Sequence, residues 1–182
     1  MALLPIRLFG DPVLRQHAQA VTAFDEQLEA LAQDMAQTMH EAGGVGLAGN
    51  QVGVPQRVFT WYLPAEHSAD GIEQEGVWIN PRILDLSADL EEGEEGCLSL
   101  PGLFFPTTRP FRVKISAQDL RGELHEVEAS SYHARILLHE MDHLDGILFL
   151  DHLAQHQREE AMGRIAAGEL VEAAGDQAVY AR

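Results

Sequence analysis

The order of periodic patterns along the chain constrains the fold more than any other feature of the sequence. Helical spacing occurs over about 25–40, and the apolar residues on its one face are Leu28, Leu31, Met35 and Met39. Segments with strand-like composition or alternating polarity then follow one another at 57–63, 77–86, 112–117 and 124–129. Helical spacing returns over about 132–145 and within 156–174. Because the strands cluster instead of alternating with helices, we predict an α+β fold with mixed or antiparallel sheets.

Length, charge and cysteine count exclude several classes of protein. A chain of 182 residues suits one domain, and 12 Lys+Arg against 29 Asp+Glu give a net charge of −17, which repels nucleic acid and anionic lipid. A single cysteine cannot form an internal disulfide, and no apolar run is long enough for a membrane span or a signal peptide. We therefore predict a cytoplasmic protein that forms one domain over residues 1–182 and binds neither DNA nor a membrane.

Two histidines four residues apart mark a candidate metal site on the helix over 132–145. His139 and His143 share one helix face, so both rings can reach one ion. Glu140 lies beside them and can act on a water without being a ligand. Apolar neighbours place this face near the core, which argues against a solvated helix surface. Zinc endopeptidases share this H-E-x-x-H motif, but their extended pattern needs a ligand at Phe149, which cannot bind metal.

Two further segments supply candidate residues for the same site. Cys97 can complete a set of three metal ligands, although a lone cysteine is more often a small buried apolar residue. The acidic stretch 91–95 before it predicts a loop. The glycine-rich segment 44–51 lacks the lysine of a phosphate loop, and its small residues would let a substrate approach the backbone. Gln51 at its end can donate its side-chain amide to a developing oxyanion.

Taken in order, these three segments resemble the motifs of peptide deformylase. The family patterns G-x-G-L-A-A-x-Q, E-G-C-L-S and Q-H-E-x-D-H stand here as residues 44–51, 95–99 and 138–143. The resemblance extends over about residues 5–153. It implies a deformylase-like core, in which sheets pack around a central metal-bearing helix with further helices at the N-terminal and C-terminal ends. The remaining residues, 154–182, would form a helical tail.

Two positions depart from the family pattern. Gly49 stands where the family has an alanine, and Leu138 stands where it has a glutamine. We expect Gly49 to loosen its loop, or to widen the pocket for another acyl group. If the glutamine supports a ligand through a hydrogen bond, its loss would change the fine tuning of the metal and not its presence.

The resemblance implies a hydrolase that removes the formyl group from the N-terminal formyl-methionine of new polypeptides and releases formate. Its implied metal ligands are Cys97, His139 and His143. Glu140 would take a proton from water and deliver it to the leaving amine, while Gln51 and the backbone N–H of Leu98 would stabilise the oxyanion. The resemblance implies ferrous iron as the single divalent metal, although cysteine and histidine also suit zinc, nickel or cobalt in a purified sample. Because nascent formyl-methionyl peptides emerge from ribosomes, a transient ribosome contact is expected.

Helix spacing and the resemblance together predict the substrate-binding residues. The methionine pocket is predicted to be lined by Val45, Tyr132, Ile136 and His139. The rest of the peptide is predicted to pair with the backbone of Gly44, Val45 and Gly46 as an added strand. Two other functions stay open: a zinc endopeptidase indifferent to Cys97, and a non-catalytic relative that binds formyl peptides.

Overall fold

The computed structural model describes residues 2–170, in which helices and strands are segregated along the chain. The helices are α1 (Glu26–Glu41), α2 (Ser131–Leu144) and α3 (Gln155–Ala166). The strands are β1 (Gly46–Ala48), β2 (Val58–Leu63), β3 (Gln74–Leu86), β4 (Leu90–Gly96), β5 (Phe104–Pro110), β6 (Arg112–Gln118) and β7 (Leu124–Ser130). They form a five-stranded sheet in the order β1-β2-β3-β6-β7 and a separate β4-β5 hairpin, and each of these pairings is antiparallel. The predicted α+β fold is therefore confirmed.

Helix α1 begins and ends where local chemistry predicts. The Asp25 carboxylate accepts hydrogen bonds from the backbone N–H groups of Gln27 and Leu28, which satisfies donors of the first helical turn. Gly43 follows the helix in a left-handed conformation, at φ +69°. Of the predicted apolar face, Leu28, Met35 and Met39 are buried and Leu31 is partly buried. The apolar face of α1 therefore packs in the core.

Helix α2 lies at the centre of the molecule and carries the H-E-x-x-H motif. It contacts strands of both sheets, and one core cluster includes its residues Ala134, Ile136, Leu137, Leu138, Met141 and Leu144. It follows β7 without a loop, because Ser131 turns the chain with a left-handed φ of +52°. The Ser131 N–H donates to the carbonyl of Phe111, and its hydroxyl donates to the Glu91 carboxylate. These contacts fix the start of the motif helix against both sheets.

The prediction of a loop over 91–95 is wrong, because these residues form most of strand β4. Side chains along β4 alternate between more and less exposed positions, so that Glu95 is buried while Glu92 and Glu94 face solvent. Glutamate has a low intrinsic strand preference. Pairing with β5 and the ion pairs of Arg109 and Arg135 with the inward carboxylate of Glu95 stabilise the strand.

The C-terminal helix is shorter than the segment that its periodicity allowed. Helix α3 ends at Ala166, and residues 171–174 of the predicted segment lie outside the described residues. The single domain over 1–182 and its helical tail over 154–182 stay predictions. Within residues 2–170, no helix combines the length and the apolarity that crossing a membrane requires.

Candidate metal centre

The three predicted metal ligands come together between α2 and the end of β4. Cys97 directly follows β4, and its Sγ lies 3.2 Å from Nε2 of His143. His139 and His143 are one helical turn apart, and their ring centroids are separated by 5.0 Å. The ligand atoms of all three residues lie within 4.8 Å of one another, and both histidines are buried. This spacing suits a single ion with bonds of about 2.0–2.3 Å to imidazole nitrogen and thiolate.

The surroundings of these atoms fit a bound cation. Nε2 of His143 faces Sγ of Cys97 and is the nitrogen available to a cation, whereas its Nδ1 atom is buried with no hydrogen-bond partner among the described residues. Burial lowers the pKa of His143 well below its ordinary value, which favours the neutral, ligating imidazole. Burial also opposes a charge on His139, but hydrogen bonds to Cys97 and Glu95 outweigh it and raise the pKa of His139. Three protein ligands of these types leave a fourth position open, as in catalytic metal sites.

A buried carboxylate orients His139 from behind. Oε2 of Glu95 lies 3.1 Å from Nδ1 of His139, so the other ring nitrogen, Nε2, faces Cys97. Glu95 also accepts two hydrogen bonds from the guanidinium of Arg109, at 2.8 and 2.9 Å, and one from Arg135 at 2.9 Å. Burial raises the pKa of Glu95, but the hydrogen bonds from Arg109 and His139 outweigh it and leave this pKa well below the ordinary value. Glu95 is therefore a fixed negative charge next to the metal ligands.

The same network reaches the other end of the helix. Arg109 donates to Asp142 at 2.6 Å, and Nε2 of His152 lies 2.8 Å from the same carboxylate oxygen. Sequence reasoning missed these residues, because their partners lie far apart along the chain. A signal was present in two places: Arg135 interrupts an apolar helical run, and Arg109 occupies an inward position of β5. A buried arginine in such a pattern indicates a buried carboxylate nearby.

Glu140 lies on the opposite side of the ligands, where it is 3% exposed. Its Oε2 atom has no hydrogen-bond partner among the described residues. Burial raises the pKa of Glu140 to about 7, with the charge of His139 opposing that rise. The carboxylate occupies the space that a Cβ at Gly46 would need, so a larger residue there would displace Glu140. Strand β1 can therefore approach the acid, and Glu140 has the burial and pKa typical of a general base.

The two predicted oxyanion donors lie beside Cys97. Gln51 is 1% exposed, and its Nε2 lies 3.5 Å from Sγ of Cys97 and 3.2 Å from the hydroxyl of Ser99. Its Oε1 accepts a hydrogen bond from the N–H of Ala48, so the amide is held with its nitrogen toward the site. The backbone N–H of Leu98 donates to no residue within 2–170. Both groups are thus placed to donate to a ligand near Cys97.

One cavity of about 790 Å³ opens onto this site. All five predicted substrate-binding residues line it, namely Gly44, Val45, Gly46, Tyr132 and Ile136. It also contains Gln51, Cys97, Leu98, His139 and Glu140, whereas His143 lies behind them and does not line it. The structure therefore brings the candidate catalytic and substrate residues to a single concave surface.

Of the two departures from the family pattern, the expectation for Gly49 needs correction, whereas the expectation for Leu138 stays a prediction. A Cβ atom at Gly49 would lie 2.5 Å from the carbonyl oxygen of Val54 and 2.8 Å from that of Gln56. Gly49 thus allows close backbone packing and does not loosen the turn, and it does not line the cavity that it was expected to widen. Leu138 is buried in the core cluster on the sheet side of α2, while Glu95 supplies the hydrogen bond to His139.

Comparison with known proteins agrees with this geometry. The polypeptide deformylase family profile matches residues 3–159. A peptide deformylase of Parafrankia sp. is 47% identical over 169 residues, covering 93% of this chain and 88% of that relative. The crystal structure of the Thermus thermophilus peptide deformylase is similar with a TM-score of 0.81 at 43% identity, covering 93% of this chain and 96% of that one. A Synechococcus elongatus peptide deformylase in complex with actinonin has a TM-score of 0.83 at 37% identity, over 91% and 89% of the two chains. The chain therefore belongs to the polypeptide deformylase family.

Proposed function

We propose that this chain hydrolyses the formyl amide of N-formylmethionyl peptides, releasing formate and a free amino terminus, at the metal centre formed by Cys97, His139 and His143. The observation that carries the proposal is the convergence of these three ligands next to the unpartnered Glu140 carboxylate, at the base of a cavity bounded by strand β1. Family membership supports the reaction, and the geometry supports the residues assigned to it.

The chain's own groups account for the movement of protons and charge. A divalent metal supplies Lewis acidity when it is bound, which lowers the pKa of a water to near neutral. Glu140 accepts a proton as water attacks the formyl carbon, and returns it to the amide nitrogen, which leaves as an amine. Nε2 of Gln51 and the N–H of Leu98 donate to the carbonyl oxygen as it becomes negative. Loss of one such donor raises a barrier by about 3–4 kcal/mol in other enzymes.

Strand β1 is the proposed binding edge for the peptide. It pairs with β2 on one side and is the terminal strand of its sheet, so its other edge faces the cavity. Gly44 and Gly46 have no side chains to block an incoming strand, and Leu98 and Glu140 fill the space behind them. Pairing between backbones makes affinity largely independent of the sequence after methionine.

We propose ferrous iron as the native metal, supported by the family resemblance. Zinc, nickel and cobalt suit the same ligands. Anaerobic loading of the metal-free protein with each ion, followed by assay of formate release, tests this proposal. Full activity with zinc alone would exclude a requirement for iron. The cytoplasmic location and the transient ribosome contact belong to this proposed role on nascent peptides.

The test of the reaction is formate release from formyl-Met-Ala-Ser. Glu140→Gln should keep the metal and lose about 10²–10⁴-fold in turnover, because only the proton transfer is removed. Glu128→Gln, which changes an exposed glutamate on β7, is the matched control and should have normal activity. Unchanged turnover in Glu140→Gln contradicts the assigned role. Cleavage of internal bonds in unformylated peptides would favour the endopeptidase, and binding without formate release would favour a non-catalytic relative.

A further inference from the structure

The loop between β2 and β3 contributes a side chain to the cavity that none of the three motifs contains. His67 lies at the end of a short 3-10 turn over Ala65–His67 in this loop, which comprises residues 64–73. Its ring stacks on that of Tyr132, with centroids 4.0 Å apart and planes inclined by 26°. Both rings line the cavity that Val45 and Ile136 also line. His67 is therefore a wall of the proposed methionine pocket that comes from a separate part of the chain.

The position of His67 is fixed by its own loop. Leu63, at the end of β2, is buried, and the N–H of His67 donates to the carbonyl of Pro64. Farther along, the hydroxyl of Ser68 donates to Asp70 and accepts a hydrogen bond from Gln74 at the start of β3. The stack thus joins a residue of the β2–β3 loop, which these hydrogen bonds hold, to a residue of α2.

The stack lies on the solvent side of the cavity wall. Tyr132 lies in the first turn of α2 and is half-buried, with part of its ring packed against the core. His67 is exposed and covers that ring from outside. A long apolar side chain that entered between Val45 and Ile136 would have this pair of rings between it and the solvent. A short side chain does not reach the pair and gains nothing from it.

We propose that His67 is a specificity-determining residue: through its stack on Tyr132 it closes the methionine pocket, and so favours substrates with a long apolar first side chain over those with a short one. The inference rests on the proposed function, because it assigns a wall to the substrate pocket of that reaction. The role requires a flat ring at this position and not a charge. Phenylalanine should therefore replace histidine, while alanine should not.

The experiment compares kcat and KM for formyl-Met-Ala-Ser and formyl-Ala-Ala-Ser. Shielding one methylene group of the substrate from water is worth about fourfold in an equilibrium constant. His67→Ala should therefore raise KM for the methionine peptide by about that factor, with little change in kcat, and should leave the alanine peptide unaffected. His67→Phe should restore the preference. His156→Ala, which removes an exposed histidine on α3 away from the cavity, is the control.

A binding measurement separates failure of this inference from failure of the proposed function. Calorimetric titration of the metal-loaded Glu140→Gln protein with the two peptides needs no turnover, and the same titration is repeated in Glu140→Gln/His67→Ala. A methionine preference that falls in the double variant supports the role of His67 even if no formate is ever released. A preference that stays unchanged, an equal loss for both peptides, or a His67→Phe protein that behaves like His67→Ala would each overturn it.

Discussion

Two groups of side chains in the described residues bring three potential metal ligands within 4.8 Å of one another, and they differ in burial and in what their ligand atoms contact. The buried cluster consists of Cys97, His139 and His143. The exposed cluster consists of Asp119, Glu123 and His125, at the turn between β6 and β7. Their comparison shows which features beyond proximity make a metal centre.

Two of the three residues of the exposed cluster, Asp119 and His125, already use their ligand atoms in local structure. Oδ1 of Asp119 accepts hydrogen bonds from the N–H groups of Arg121 and Glu123, at 2.8 and 2.9 Å, which closes the turn. Its Oδ2 lies 3.0 Å from Nε2 of His125. A cation here would have to displace these bonds and compete with water. The cluster is therefore a turn with a side-chain pair across it.

The buried cluster shows the opposite arrangement. Its histidines are out of water, the far nitrogen of His139 is held by Glu95, and two arginines hold Glu95 in turn. The ring of His139 is consequently turned toward Cys97, with its supporting hydrogen bond behind it. This metal site is thus distinguished by burial and by a hydrogen bond that turns one of its ligands inward, and proximity alone does not distinguish it.

Replacing a ligand of the buried cluster has the largest expected effect. Cys97→Ser exchanges an ionisable thiol for a hydroxyl, so metal content after gel filtration should fall at least about tenfold and formate release should be lost. Asp119→Asn combined with His125→Ala should leave both quantities normal. Metal analysis and the formate assay on the same samples check the contrast. Normal metal content in Cys97→Ser would remove the distinction between the clusters.

Arg109 tests the support behind the ligands. Arg109→Met takes the shared cation from the buried Glu95 and the half-buried Asp142, and removal of one partner from a buried pair costs about 3–5 kcal/mol. Arg112→Met breaks an exposed pair with Glu128, 3.9 Å apart, and should cost less than about 1 kcal/mol. Urea denaturation of the metal-free proteins measures both changes in the free energy of unfolding. Equal losses in the two variants would show that burial does not matter here.

Local sequence predicted those parts of the fold in which local signals and tertiary packing agree. Helix α1 has its apolar stripe and the cap at Asp25, and β6 has strict alternation. Strand β4 was missed because its glutamates favour other conformations, and only β5 and the two arginines make a strand favourable there. Strand β1 was missed because three residues are too few to show a period.

The candidate metal site likewise has residues that local sequence predicted and residues that it did not. His139, Glu140 and His143 could be recognised from the spacing within a single helix. Cys97, the single cysteine of the chain, was a candidate from its residue type, and the family resemblance assigned it to the site, since no spacing rule connects residues so far apart along the chain. Glu95 could not be found in this way, because its partners Arg109 and Arg135 lie 14 and 40 residues away along the chain. The ligands were therefore predictable, whereas the network that orients them required the structure.

Two glycines differ in the space around them: Gly49 is crowded by backbone atoms, and Gly163 is not. Gly49→Ala would bring a methyl group against the carbonyl oxygens of Val54 and Gln56, so we expect a loss of about 1–3 kcal/mol in the free energy of unfolding. Gly163→Ala, inside α3 with no atom within 4 Å of the new methyl group, should instead stabilise the protein by about 1 kcal/mol. Thermal or urea unfolding distinguishes the two signs. Stabilisation by both substitutions would show that the 54–56 backbone can move away from Gly49.

The smallest expected effect is in the exposed cluster itself, and pH reveals it. The hydrogen bond from His125 lowers the pKa of Asp119, with the N–H groups of Glu123 and Arg121 acting in the same direction against desolvation. A carboxyl group with a lowered folded-state pKa stabilises the fold above its ordinary value of 3.8 and loses that contribution as the pH falls through the folded-state value. Asp119→Asn should therefore be slightly less stable than the parent protein at neutral pH, and the difference should vanish in acid. Urea denaturation of both proteins across this range measures it. A stability difference that grows on acidification would mean that the turn depends on a protonated Asp119. An ionised carboxylate that closes the turn would then not explain the exposed cluster.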